Sequence, residues 1–96
     1  MLNEAEKHRY NRHLILDGFG EQSQLKLKSS KVAVIGVGGL GAPVLQYLVA
    51  AGVGTIGIID GDVVSESNLQ RQVIFDTTDL KKSKVEAARD RLMKQN

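Results

Sequence analysis

An α/β fold centred on one strand-helix-strand unit follows from three observations within residues 31–62. An apolar run, Val32 to Ile35, ends at the glycine-rich turn Gly36-Val37-Gly38-Gly39-Leu40-Gly41. An apolar stretch of about three helical turns follows and closes at Gly52. A second apolar run, Thr55 to Ile59, then delivers Asp60. Strand, glycine turn, helix, strand and acid in that order make a Rossmann-like βαβ nucleotide-binding unit. It is expected to be a partial parallel sheet of a larger domain, residues 31–96, preceded by an N-terminal helical segment, residues 1–30.

Asn3-Glu4-Ala5-Glu6 has capping-box spacing, with Asn as N-cap and Glu at the third helical position, and predicts a helix to about His13. This helix carries Arg9-Tyr10-Asn11-Arg12-His13, a cluster whose composition alone favours a solvated face. Leu14 to Leu16 reads as a short apolar anchor before the turn Asp17-Gly18. Residues 20–30 read as a second short helix that leads through Ser29-Ser30 into the first strand.

In the glycine turn, Gly36 permits the sharp exit from the strand, Gly38 and Gly39 let backbone N–H groups approach a phosphate, and Gly41 lets the helix pack closely. The helix N-terminus adds orphan donors and partial positive charge. Pro43 costs little in the first turn, and Gly52 is a C-cap glycine. Gln46 and Tyr47 are the only polar positions of this helix, so cover is expected on both sides. Asp60 stands where an acid reaches ribose hydroxyls. Two plainer readings compete. The uncharged span Val32 to Ile59 is long enough for a bilayer, but glycines and Pro43 interrupt it at the junctions a βαβ unit needs. The glycines could also form a close-packed turn without a ligand.

Residues 62–72, Ser-rich and polar, read as an exposed loop with a short helical turn. Ser83-Lys84-Val85-Glu86 is a capping box, and Val85, Ala88 and Leu92 recur at helical spacing, predicting an amphipathic helix to the C-terminus. Lys84 opens that helix, where a cation opposes the dipole. It suits either a bound phosphate or a plain surface position.

The net charge of +2 hides an asymmetry: residues 32–62 hold Asp60 and Asp62 and no Lys or Arg. Cations for a bound triphosphate must come from the flanks or from a metal. Four aromatic residues without an interleaved basic stripe argue against nucleic acid. With no cysteine, the chain can form no disulfide, thioester or thiolate metal site. Residues 1–13 are polar and charged and show no signal or lipidation motif, so a cytoplasmic location is expected.

RYNRH, GVGGLG, IIDGD, NLQRQ and SKVEAARDRL together resemble the N-terminal part of the ThiF/MoeB family, bacterial relatives of ubiquitin-activating enzymes. The resemblance implies Mg-ATP-dependent adenylation of the C-terminal Gly-Gly carboxylate of a ubiquitin-like sulfur carrier of the MoaD/ThiS type, serving molybdopterin or thiamin synthesis. It implies that Gly39 and its neighbours cradle the phosphates, that Asp60 holds the ribose, and that Asn68, Arg71 and Lys84 contact the phosphates. Arg12 resembles the arginine that reaches into the neighbouring subunit's site in a homodimer. Asp62 is assigned no ligand. Family members are more than twice as long, so the chain reads as an N-terminal fragment. The magnesium-binding aspartate, the carrier-binding surface and any zinc site are expected beyond residue 96, and the activity of these 96 residues alone is left open. Two other functions compete. In an NAD-binding oxidoreductase domain, Gly36, Gly38, Gly41 and Asp60 would serve equally well. In a non-catalytic dimerisation subunit, Arg71, Lys84 and Asp60 would not be needed.

Overall fold

The computed structural model describes residues 1–96. Helices α1 (Glu4–Arg9), α2 (Asn11–Leu14) and α3 (Gly20–Ser29) precede strand β1 (Lys31–Ile35), helix α4 (Gly41–Ala51), strand β2 (Thr55–Ile59) and helix α5 (Lys84–Gln95). Two single 3-10 turns, Glu66–Asn68 and Thr77–Asp79, lie in the connection from β2 to α5. The strands are parallel, in a register running from Lys31 opposite Thr55 to Ile35 opposite Ile59. The α/β architecture and the parallel pair agree with the sequence reading.

Alternation decides which face of the sheet is covered. Val32, Val34, Ile56 and Ile58 turn inward, whereas Ala33, Ile35, Gly57 and Ile59 are exposed on the other face. Leu45 and Ala42 of α4 meet Ala87, Ala88 and Leu92 of α5 over the inward face, and Val37, Val64, Ile74 and Phe75 complete this core. Leu40, Val44 and Tyr47 lie exposed on the outer side of α4, so its second face has no cover within the chain. No helix is long and apolar enough to cross a membrane.

The expected capping box at Asn3 and Glu6 is complete in both directions. The single helix expected to run to His13 is instead broken at Tyr10, which leaves helical geometry at φ −99°, ψ 15°. Tyr10 turns inward, is buried, and lays its ring against Gly52 at the far end of α4. Ile15 and Leu16 are more than half exposed, so the expected apolar anchor does not form. At Ser83 only half of the capping box exists: its hydroxyl accepts from the Glu86 N–H at 3.2 Å.

The N-terminal helices dock onto the C-terminal end of α4. Gln24 is buried, donates through Nε2 to the Ala51 carbonyl at 2.7 Å and shares a 2.9 Å hydrogen bond with His13 Nδ1. Asn96 donates to the Tyr10 hydroxyl at 2.7 Å and to the Val49 carbonyl at 2.8 Å. This end of α4 lies about 16 Å along the helix from Gly41.

Candidate functional site

The glycine turn is held to the end of the second strand by hydrogen bonds from its first two residues. Gly36, at φ +91°, donates to the Ile59 carbonyl at 2.8 Å. Val37 donates to Asp60 Oδ2 at 2.7 Å, and the other carboxylate oxygen accepts from Asp62 N–H at 2.8 Å. These two bonds, the Val37 one foremost, hold the Asp60 carboxyl below the usual carboxylate range against the opposing effect of burial, and the nearby Lys84 charge adds to them. Asp60 therefore braces the turn in the free chain, a role beyond the ribose contact its spacing suggests.

Gly41 brings α4 closest to the turn. A Cβ there would stand 1.8 Å from the Gly36 carbonyl oxygen. No side chain caps the helix at Leu40. Ala42 N–H donates to the Gly38 carbonyl at 3.0 Å and Val44 N–H to the Leu40 carbonyl at 3.3 Å, which leaves the N–H groups of Gly38, Gly39, Leu40 and Gly41 for a ligand.

The connection after β2 packs against this turn, so it is more ordered than an exposed loop. Asn68 carbonyl oxygen accepts from Arg71 N–H at 3.2 Å and from Gln72 N–H at 2.8 Å, while its side-chain oxygen accepts from Ser65 Oγ at 2.8 Å. This tight local turn aims two neighbouring side chains at two neighbouring glycines. Arg71 Nη1 lies 3.3 Å from where a Cβ on Gly39 would stand, and Gln72 Nε2 lies 3.8 Å from the same point on Gly38. Gln72 is 2% exposed, and its Oε1 is a buried acceptor with no partner. The sequence reading left Gln72 without a role. A glutamine beside a named arginine in a polar segment carries no periodicity signal; its burial does.

Lys84 is 6% exposed, so the reading of it as a plain surface lysine is overturned. Its backbone N–H donates to the Asp62 carbonyl at 3.0 Å, and the Val63 to Ser83 bridge fixes the start of α5 beside the end of β2. The ammonium's nearest carboxylate is Asp62, at 3.9 Å, which is beyond hydrogen-bonding distance. A nearly buried cation with so loose a counterion is poised for an anion.

Gly36, Gly38, Gly39, Gly41, Asp60, Asn68, Arg71 and Lys84 thus belong to one neighbourhood at the N-terminal end of α4. Arg12 does not join it. It is exposed beside Lys7, His8 and Arg9 on the helices docked at the opposite end of α4. A separate apolar cavity of about 330 Å3, lined by Val49, Ile56, Ile58, Val85, Leu92 and Met93 among others, lies between β2 and the two long helices and holds none of these residues.

Known proteins resemble the chain in sequence and fold. The chain is 58% identical over 92 residues to "Probable adenylyltransferase/sulfurtransferase MoeZ" of Mycobacterium tuberculosis, an alignment that covers 96% of the chain and 24% of the relative. It is 52% identical over 96 residues to "Adenylyltransferase and sulfurtransferase UBA4" of Meyerozyma guilliermondii, covering 99% of the chain and 23% of that protein. The chain therefore spans about a quarter of the length of these curated relatives. Among solved structures, PaaA matches with a TM-score of 0.90 at 40% identity over 99% of the chain and 32% of PaaA. The E. coli protein MccB matches with a TM-score of 0.84 at 38% identity over 99% of the chain and 28% of MccB. The ThiF family model matches residues 10–96, and the chain belongs to the ThiF family.

Proposed function

We propose that the chain is the ATP-binding part of an enzyme that adenylates the C-terminal carboxylate of a ubiquitin-like sulfur carrier, for molybdopterin or thiamin synthesis. The observation that carries this reading is the placing of Arg71 beside Gly39 of the glycine turn and of the nearly buried Lys84 near Asp60, the acid that braces the same turn. Relatives named adenylyltransferase and sulfurtransferase support it.

In the reaction, a carboxylate oxygen of the carrier bonds to the α-phosphorus of ATP while the bond from that phosphorus to the bridging oxygen breaks, releasing pyrophosphate. Negative charge grows on the phosphoryl oxygens, and fixed cations aimed there stabilise the transition state. Arg71 gives a forked contact and Lys84 a point charge, while Asp60 accepts from the ribose. No general base is required, since the carrier's carboxylate is ionised at neutral pH. Both oxygens of Asp60 are engaged by backbone N–H groups, so the aspartate that would hold magnesium against the phosphates is sought beyond residue 96. Arg12 is exposed on the helices docked at the other end of α4, which supports reading it as a contributor to the site of a second copy in a homodimer.

Calorimetric titration of the chain with ATP and with NAD tests the proposal. ATP should bind saturably, and Arg71→Ala and Lys84→Met should each weaken it about 10- to 100-fold, the effect of losing one hydrogen bond to a charged group. In the adenylation reaction, Arg71→Ala should cost about a hundredfold or more. Tighter binding of NAD, indifferent to both changes, would refute the reading.

A further inference from the structure

Three residues of the site face three consecutive residues of the glycine turn. The Asp60 carboxylate meets Val37, the Gln72 amide stands by Gly38 and the Arg71 guanidinium by Gly39. A nucleotide laid along the turn, with its ribose at Asp60 and its terminal phosphates at Arg71, passes Gln72 at the phosphate nearest the ribose. The side chain there is buried, carries its nitrogen toward the turn, and leaves Oε1 without a donor in the free chain. A buried amide without partners is unfavourable to folding and is expected where it has work to do with a ligand: Nε2, which donates to nothing in the chain, is the atom a phosphate oxygen would accept from, while Oε1 stays unpaired.

We propose that Gln72 is a binding residue for the α-phosphate, whose amide nitrogen donates to the part of the nucleotide that stays with the adenylate rather than to departing pyrophosphate. This inference rests on the ATP reading above. A neutral donor suits that position, because the α-phosphate of AMP stays bound through the adenylation step. Arg71 and Lys84 place full charges where pyrophosphate leaves.

Calorimetric titration of the full chain and its variants with AMP and, separately, with inorganic tripolyphosphate tests the assignment. Gln72→Met keeps the volume and removes both polar atoms. It should weaken AMP binding about 10- to 100-fold, the effect of one hydrogen bond to a charged group, and leave tripolyphosphate within about threefold of wild type. Its free form should melt at or above the wild-type temperature, because the orphaned acceptor is gone. Gln72→Glu puts an anion in place of the donor and should weaken AMP binding further than Met does. Three results would each overturn the assignment: AMP binding by Gln72→Met equal to wild type, AMP binding by Gln72→Glu equal to wild type, or loss of folded circular dichroism in both variants. A wild-type chain that is folded yet binds neither probe nor ATP defeats the nucleotide reading itself, and Gln72 falls with it. Wild-type binding unaltered by the Gln72 changes defeats this inference alone.

Discussion

Replacing Gly41 with Ala tests whether the close approach of α4 to the turn governs both stability and ligand binding. The added Cβ would lie 1.8 Å from the Gly36 carbonyl oxygen and 2.9 Å from its carbon. Ordinary contact begins near 3.4 Å, so helix and turn must separate by about 1.6 Å. Both colliding groups are backbone, and no rotamer change can absorb the shift. Overpacking of this kind costs about 3 kcal/mol or more, against which the better helix propensity of Ala returns at most about 1 kcal/mol. The displaced turn also carries the N–H groups meant for phosphate, and a misplacement above 1 Å at such a site costs about a hundredfold in function. Urea unfolding followed by circular dichroism should show a lower midpoint with unchanged slope, and calorimetry should show ATP affinity reduced about a hundredfold. Gly39→Ala is the control. Its Cβ would meet only the tip of Arg71, at 3.3 Å, so stability should hold within about 0.5 kcal/mol while ATP binding weakens less than in Gly41→Ala. A Gly41→Ala chain with wild-type midpoint and affinity would refute the reasoning.

Two further perturbations probe other joints of the molecule. Gly52→Ala forces a side chain into φ +98°, 2.5 Å from Gln24 Nε2 and 2.9 Å from the Tyr10 ring; it should cost about 2–4 kcal/mol, and an unchanged melting temperature would sink the prediction. Asp60→Asn leaves one of the Val37 and Asp62 N–H groups without its carboxylate acceptor and should cost about 1–2 kcal/mol at pH 7. Because the folded carboxyl titrates below its normal value, its contribution is complete above the unfolded value near about 4 and fades as pH falls through the lower folded one. The gap between wild type and variant in urea unfolding should therefore be flat from pH 5 to 8 and close in more acid solution. A gap as wide at pH 3 as at pH 7 would contradict the bracing role of Asp60.

The βαβ unit was legible because its signals are local. Two short apolar runs at the strands, Gly52 at the helix end and Gly36 at the turn each leave a residue-level mark, although which strand face is covered does not show in runs that are apolar throughout. Tyr10 broke the first helix for a reason that lies 42 positions away, at Gly52, where only a residue without a side chain admits its ring. The burial of Lys84 likewise depends on the bridge from Val63 to Ser83, a pairing that neither segment's composition suggests. Gln72 was missed for the same cause: its burial is set by contact with Gly38, across the chain from the loop that carries it.

The bridge between residues 62–64 and 81–84 gives the polar segment between them a character of its own. Val64 donates to Lys82, Lys81 donates to Val64 and Lys84 donates to Asp62, so the two ends of the segment are joined at its neck. The segment is anchored a second time in its middle, where Ile74 and Phe75 enter the core shared with α4 and α5, so its opening disturbs that core as well as the neck. Asn68, Arg71 and Gln72 all sit on that segment, opposite glycines of the turn. A nucleotide would then close onto two surfaces the fold already holds face to face, and the slowing of hydrogen exchange on binding it should be concentrated at the turn and at residues 68–72.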